Sequence, residues 1–78
     1  MKRRKKPALK FAVCINNSGY SASLELHKIY RVLPDRDAAL DGDLRVIDET
    51  GDDYLYPAEY FVFLELPSAV EKSLSRAA

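Results

Sequence analysis

Six carboxylates fall between positions 41 and 53: Asp41, Asp43, Asp48, Glu49, Asp52 and Asp53. Oxygen ligands at that density are what a hard divalent cation would take. A calcium loop needs the order D-x-[DN]-x-[DN]-G followed by a distant Glu, and these residues do not keep it. Acidic loop tips that hold a small sheet in solution and blunt its edges account for them. His27 stands beside Lys28 in a predicted turn, with no second histidine in the chain, and reads as a solvated turn residue. Cys14 is the single cysteine, which excludes an internal disulfide and a cysteine-based metal cage. It lies in the most apolar stretch, where a thiol serves as a small core hydrophobe. Ser18, Ser21 and Ser23 have neither a GxSxG context nor a partner base. No nucleophile, base and oxyanion donor assemble, so the sequence reads as a non-enzyme with no cofactor and no metal site.

Recognition is the chemistry that remains. Of the five tyrosines, Tyr30 and Tyr56 fall at inward positions together with Phe61. Tyr20 in a polar loop and Tyr60 after Pro57 are the candidates for exposed rings, where an amphipathic side chain can anchor a partner. Charge is split along the chain although the formal net charge is zero. Residues 1–10 carry six basic groups (Lys2, Arg3, Arg4, Lys5, Lys6, Lys10) and no acidic one. Residues 35–59 carry nine acidic groups against Arg36 and Arg45. A basic leader on an acidic body has two uses. Lys2, Arg3, Arg4, Lys5 and Lys6 can supply salt-dependent, sequence-blind affinity for nucleic acid. An acidic body instead repels phosphate and suits a basic protein surface.

The elements that would position these groups follow from alternation and chain breaks. Phe11 to Ile15 is a short apolar run bounded by Asn16-Asn17-Ser18-Gly19, as expected of a buried strand. Asn16 to Ser23 reads as a loop. Leu24-Glu25-Leu26 leads into a turn at His27-Lys28, and Ile29 to Leu33 is a second strand ended by Pro34. Asp35 to Gly42 fits one helical turn capped by Asp35 or Asp37. In Leu44 to Asp48, the even-numbered residues point one way and Arg45 and Ile47 the other. Gly51, between acidic turn residues, joins this strand to Tyr54-Leu55-Tyr56 as a hairpin. Pro57 has no N–H for the ladder and ends that strand. Pro57 to Tyr60 fits a 3₁₀ turn, and Phe61 to Leu66 closes the sheet. Ser68 and Glu71 have capping-box spacing, which predicts a short C-terminal helix over 68–78.

Seventy-eight residues make one domain. The expected core is Val13, Ile15, Leu24, Leu26, Tyr30, Val32, Leu44, Val46, Tyr56 and Phe61. Lys10 interrupts the apolar stretch after the basic leader, which argues against a secretory signal. Nothing approaches the ~20 apolar residues of a membrane span. The expected setting is the reducing cytoplasm, with no membrane contact.

The order of these elements resembles an SH3-type barrel. Leu24–Leu33 is similar to the diverging turn and second strand, and Asp43–Asp48, Gly51 and Tyr54–Tyr56 are similar to the strands around the distal hairpin. Pro57-Ala58-Glu59-Tyr60-Phe61 resembles the Pro-x-x-Tyr-Val segment that opens the last strand. The whole chain also resembles small uncharacterised bacterial proteins of SH3-like fold. The resemblance implies an all-β, five-stranded SH3-like barrel over 11–66 with a 3₁₀ turn before the last strand; the residues themselves add a basic arm over 1–10 and a short helix or tail over 67–78. It also implies that Pro57 and Tyr60 line a peptide groove and that Phe61 is core. An Ala-Leu-Tyr-Asp-Tyr segment and a tryptophan are both absent, which removes two aromatic walls of the usual proline-peptide groove. The resulting expectation is an interaction module, a small adaptor or accessory protein, that binds a protein partner through Tyr20, Pro57, Tyr60, Asp41 and Asp48. Its rival is a nucleic-acid or ribosome-associated barrel that works through the basic arm.

Overall fold

Five short runs of the sequence become strands in the computed structural model, which describes residues 10–48 and 50–76. The strands are β1 (Lys10–Cys14), β2 (Ile29–Leu33), β3 (Asp43–Ile47), β4 (Asp53–Pro57) and β5 (Phe61–Leu64). They form one antiparallel sheet in the order β4-β3-β2-β1-β5. A 3₁₀ turn, Ala58–Tyr60, joins β4 to β5, and two helices, α1 (Arg36–Leu40) and α2 (Ser68–Arg76), complete the fold. Asp35 caps α1 by accepting from the Ala38 N–H at 3.0 Å, which satisfies one of the orphan donors of the first turn. Among the described residues no helix is long and apolar enough to cross a membrane.

The five strands expected of an SH3-like barrel are present, and among the described residues the sheet they form is not closed. The ladder joins β5 to β1, with Cys14 opposite Phe61, and leaves β4 and β5 as the two edges. Pro57, expected to stop the strand before it, is itself the last residue of β4 opposite Asp43, and the Ala58 N–H still donates to the Gly42 carbonyl before the chain turns through Ala58–Tyr60 into β5. Lys10, expected in the arm, is the first residue of β1, and the last strand stops at Leu64 rather than Leu66.

One face of the sheet carries the core. Ala12 is opposite Tyr30, Cys14 opposite Phe61, Val32 opposite Val46, and Leu44 opposite Tyr56. Leu24 drops in from the β1–β2 loop, and Leu44 and Tyr60 pack against this cluster. Leu24 and Val46 are almost wholly buried, each stabilising the fold by about 1.5–3 kcal/mol relative to an exposed side chain. Three of the expected core residues are misplaced. Val13 is half-buried, while Ile15 and Leu26 are 50% and 44% exposed. Phe11, Ala12, Cys14 and Ala38 are buried instead. Ladder register is the cause: pairing with Tyr30 and Phe61 turns Ala12 and Cys14 inward, and a strand with period two must then turn Val13 the other way.

On the opposite face Arg45 joins two elements. Its guanidinium bonds Asp35 at 2.6 Å and Asp53 at 2.7 Å, tying the cap of α1 to the start of β4. All three groups are partly exposed, so the network fixes geometry more than it adds stability.

Candidate interaction groove

The loop between β1 and β2 is held by its own bonds, which is what makes it a wall rather than a tether. Asn17 donates from its side-chain amide to the Leu24 carbonyl at 2.9 Å. The backbone N–H groups of Ser23 and Leu24 both donate to the Tyr20 carbonyl. Further on, the Glu25 N–H donates to the Tyr30 hydroxyl at 2.9 Å. The loop rejoins the sheet through a bulge. His27 N–H donates to the Cys14 carbonyl, and Cys14 N–H donates to the Lys28 carbonyl, so two residues oppose one. His27 takes the left-handed conformation this needs, with φ of 67°. It is the only non-glycine residue described with a positive φ.

Facing this wall is the β3–β4 hairpin, whose turn is organised by Asp48. The Asp48 carboxylate accepts from the Thr50 N–H at 2.8 Å, the Thr50 hydroxyl at 2.6 Å and the Asp52 N–H at 3.2 Å. The Thr50 hydroxyl bond, helped by the backbone donors, lowers the Asp48 pKa against the opposing effect of desolvation.

Between loop and hairpin lies an open groove of about 760 Å³. Tyr30, Val46, Tyr54 and Tyr56 line it from the sheet, with Tyr20 and Glu25 on the loop side and Asp48 at the hairpin. Its aromatic content is continuous. Tyr54 and Tyr56 have ring centroids 6.4 Å apart, Tyr56 meets Tyr20 edge-on at 5.1 Å, and Tyr20 meets Tyr60 edge-on at 6.1 Å. Tyr56 is buried, whereas Tyr54 and Tyr20 remain 47% and 38% exposed. Lys28 holds its ammonium over the Tyr30 ring, 5.3 Å from the centroid. The nearby charges of Asp52, then Asp48, raise the Tyr54 pKa, because a phenolate is disfavoured in a negative field.

The five residues expected to bind a partner do not converge on one loop end. Tyr20 is in the groove, and its ring reaches Tyr60. Pro57 and Asp41 lie by the opposite end of the hairpin from Asp48. Pro57 pairs with Asp43, and Ala58 N–H donates to the Gly42 carbonyl beside Asp41. From the Asp43–Pro57 pair to the Ile47–Asp53 pair is four residues, roughly 13 Å of strand. Asp48 therefore sits at the far mouth, on the same groove as Tyr20 but away from Pro57, Tyr60 and Asp41. Tyr60 is half-buried and its hydroxyl donates to the Ser18 carbonyl at 3.0 Å, so its polar end is already in use. Asp41 is exposed and forms the C-cap of α1. The nucleic-acid candidates Lys2, Arg3, Arg4, Lys5 and Lys6, and Glu49 of the acidic run, lie outside the described residues.

Sequence reading missed Tyr54, Glu25 and Lys28 as groove residues and counted Tyr30 and Tyr56 as core only. Tyr54 was recoverable: it stands two residues from Tyr56 and must share its face. Glu25 and Lys28 carried no such signal, since loop geometry places them. Among the described residues no three His, Cys, Asp or Glu side chains group as metal ligands. No family model matches this chain, and no curated protein or solved structure matches it either.

Proposed function

We propose that the protein is a non-enzymatic, cytoplasmic interaction module of SH3-like architecture, a small adaptor or accessory protein that binds a protein partner. Support for the architecture comes from five short antiparallel strands, the hairpin of β3 with β4, the 3₁₀ turn leading into β5, and the return of β5 beside β1. Binding is carried by one observation: the unbroken series of ring contacts Tyr54–Tyr56–Tyr20–Tyr60, whose first and third rings are exposed in an acidic setting. Tyrosine contributes a large, rigid contact area with only two side-chain torsions to order, which is why it anchors protein interfaces.

The test is capture from the source cell with and without nuclease, followed by titration of the recovered partner at two salt concentrations. Tyr20→Ala is expected to weaken binding by more than about 1 kcal/mol, the mark of an energetically important contact. Removal of residues 1–7 is expected to leave affinity largely intact. Nuclease-sensitive capture, with binding lost in the truncation alone, would install the nucleic-acid reading through Lys2, Arg3, Arg4, Lys5 and Lys6.

A further inference from the structure

We infer that the groove takes an extended peptide segment bearing arginine or lysine, its main chain beside β4 and its cation over the rings of Tyr54 and Tyr20. This rests on the protein-partner reading above and adds the chemistry of the ligand. Among the described residues β4 is laddered on one side only, to β3, so its outer edge can accept a strand, and three of its residues, Tyr54, Leu55 and Tyr56, line the groove. An edge that recognises main chain selects an extended segment over a folded surface.

Charge selects its side chains. Glu25 and Asp48 stand on opposite sides of the groove, and Asp52 lies two residues from Tyr54. The described donors to the Asp48 carboxylate are uncharged hydroxyl and N–H groups, so its negative charge persists into the groove. Two cations are also close. Lys28 lines the groove over Tyr30, and Arg31 donates to the Asp48 backbone carbonyl at 3.3 Å, not to its carboxylate. The Lys28 contact is itself instructive, since it shows a ring of this groove already accepting a cation on its face. Tyr54 and Tyr20 offer the same surface without being buried. The raised Tyr54 pKa agrees, because the field that disfavours a phenolate favours a cation.

The probe is an acetylated, amidated peptide of alternating arginine and glycine, titrated into the full chain at ~150 mM salt, where the Debye length of about 8 Å suppresses distant attraction. Amide chemical shifts locate the contact. A second peptide replaces arginine by citrulline, which keeps the shape and removes the charge. Expected shifts concentrate in residues 20–25 and 53–57, and the citrulline peptide binds at least about tenfold more weakly. Tyr54→Leu is expected to weaken the arginine peptide about fivefold. Glu25→Gln, on an exposed loop residue, keeps the test valid if Tyr54→Leu disturbs the fold, with an expected loss of about twofold to fivefold. Asp37→Asn on α1 should change binding less than about twofold, because its charge is screened from the groove.

Absence of binding, equal binding of the citrulline peptide, or shifts centred on α1 and residues 41–43 would each overturn the inference. None of these would touch the protein-partner reading, which fails instead on nuclease-sensitive, arm-dependent capture.

Discussion

β4 and β5 are both edge strands, and each handles its open backbone with different chemistry. β4 begins at Asp53, ends at Pro57 and carries Tyr54 and Leu55 half in solvent. Charge and proline blunt such an edge against copies of itself. β5 has no charged residue among Phe61–Leu64, and Phe63 is 53% exposed. Its protection is brevity and a neighbour: it is four residues long, and the Lys10 ammonium sits over the Phe63 ring at 5.9 Å. A hollow lined by Phe11, Phe63, Leu64 and Leu66 separates it from Glu71 of α2. One edge is thus acidic and tyrosine-rich, and the other apolar.

Breaking the link between the two edges should have the largest effect. Phe61 opens β5 and its ring lies 6.1 Å from Tyr30 and 6.3 Å from Tyr56, so it joins the apolar edge to the floor of the groove. Phe61→Ala is expected to cost about 3–5 kcal/mol, as large core truncations do. In a domain this small that amounts to unfolding near ambient temperature, which thermal denaturation by circular dichroism would register. An unchanged melting curve would show that the two edges are not coupled through this ring.

A smaller change separates the groove from the rest. In Tyr30→Phe the Glu25 N–H loses its acceptor while the ring stays, so the loop wall loosens without a cavity. The expected cost is about 1 kcal/mol, a drop of a few degrees in Tm. Hydrogen exchange should quicken at residues 24–28 and stay unchanged in β5. Uniform quickening would mean that the loop is not an independent wall.

The bulge at His27 gives a change of opposite sign. Glycine adopts φ of 67° without a Cβ clash, and the Cys14 and Lys28 bonds require that conformation. His27→Gly is expected to stabilise the fold by about 0.5 kcal/mol, the relieved strain exceeding the entropy glycine brings. A lower melting temperature would mean that the imidazole makes contacts that outweigh the strain.

Acid should separate the sides of the sheet by the smallest margin. The pKa of Asp35 is lowered, chiefly by the Ala38 N–H and then by Arg45, and that of Asp48 chiefly by the Thr50 hydroxyl. Each folded value lies below the unfolded one near 3.8, so each contribution is fully present above about pH 3.8 and is lost as pH falls through the folded value. Melting temperature should therefore be flat near neutrality and fall below about pH 4. Asp35→Asn and Asp48→Asn should shallow that fall, the first by freeing α1 and the second by freeing the hairpin turn. A slope that neither change alters would place the acid sensitivity elsewhere.

Local chemistry determined much of this protein without help. Alternation in Asp43–Ile47 and the Gly51 turn made the hairpin legible, because period two and a positive φ are properties of a few adjacent residues. Pro34 directly follows β2, Pro57 is the last residue of β4, and Asp35 capped α1 through a bond three residues long. Phe61 was legible as core from its place after the 3₁₀ turn. Tertiary structure alone decided what depends on partners distant in sequence. The inward face of Phe11–Cys14 could not be read from a run that is apolar throughout, and pairing with Tyr30 and Phe61 set it. Whether the sheet closes depended on where β5 finds a neighbour. The groove depended most of all on distance, since Tyr20 and Tyr56 touch across 36 positions of chain, and no local pattern specifies a contact that folding must first bring together.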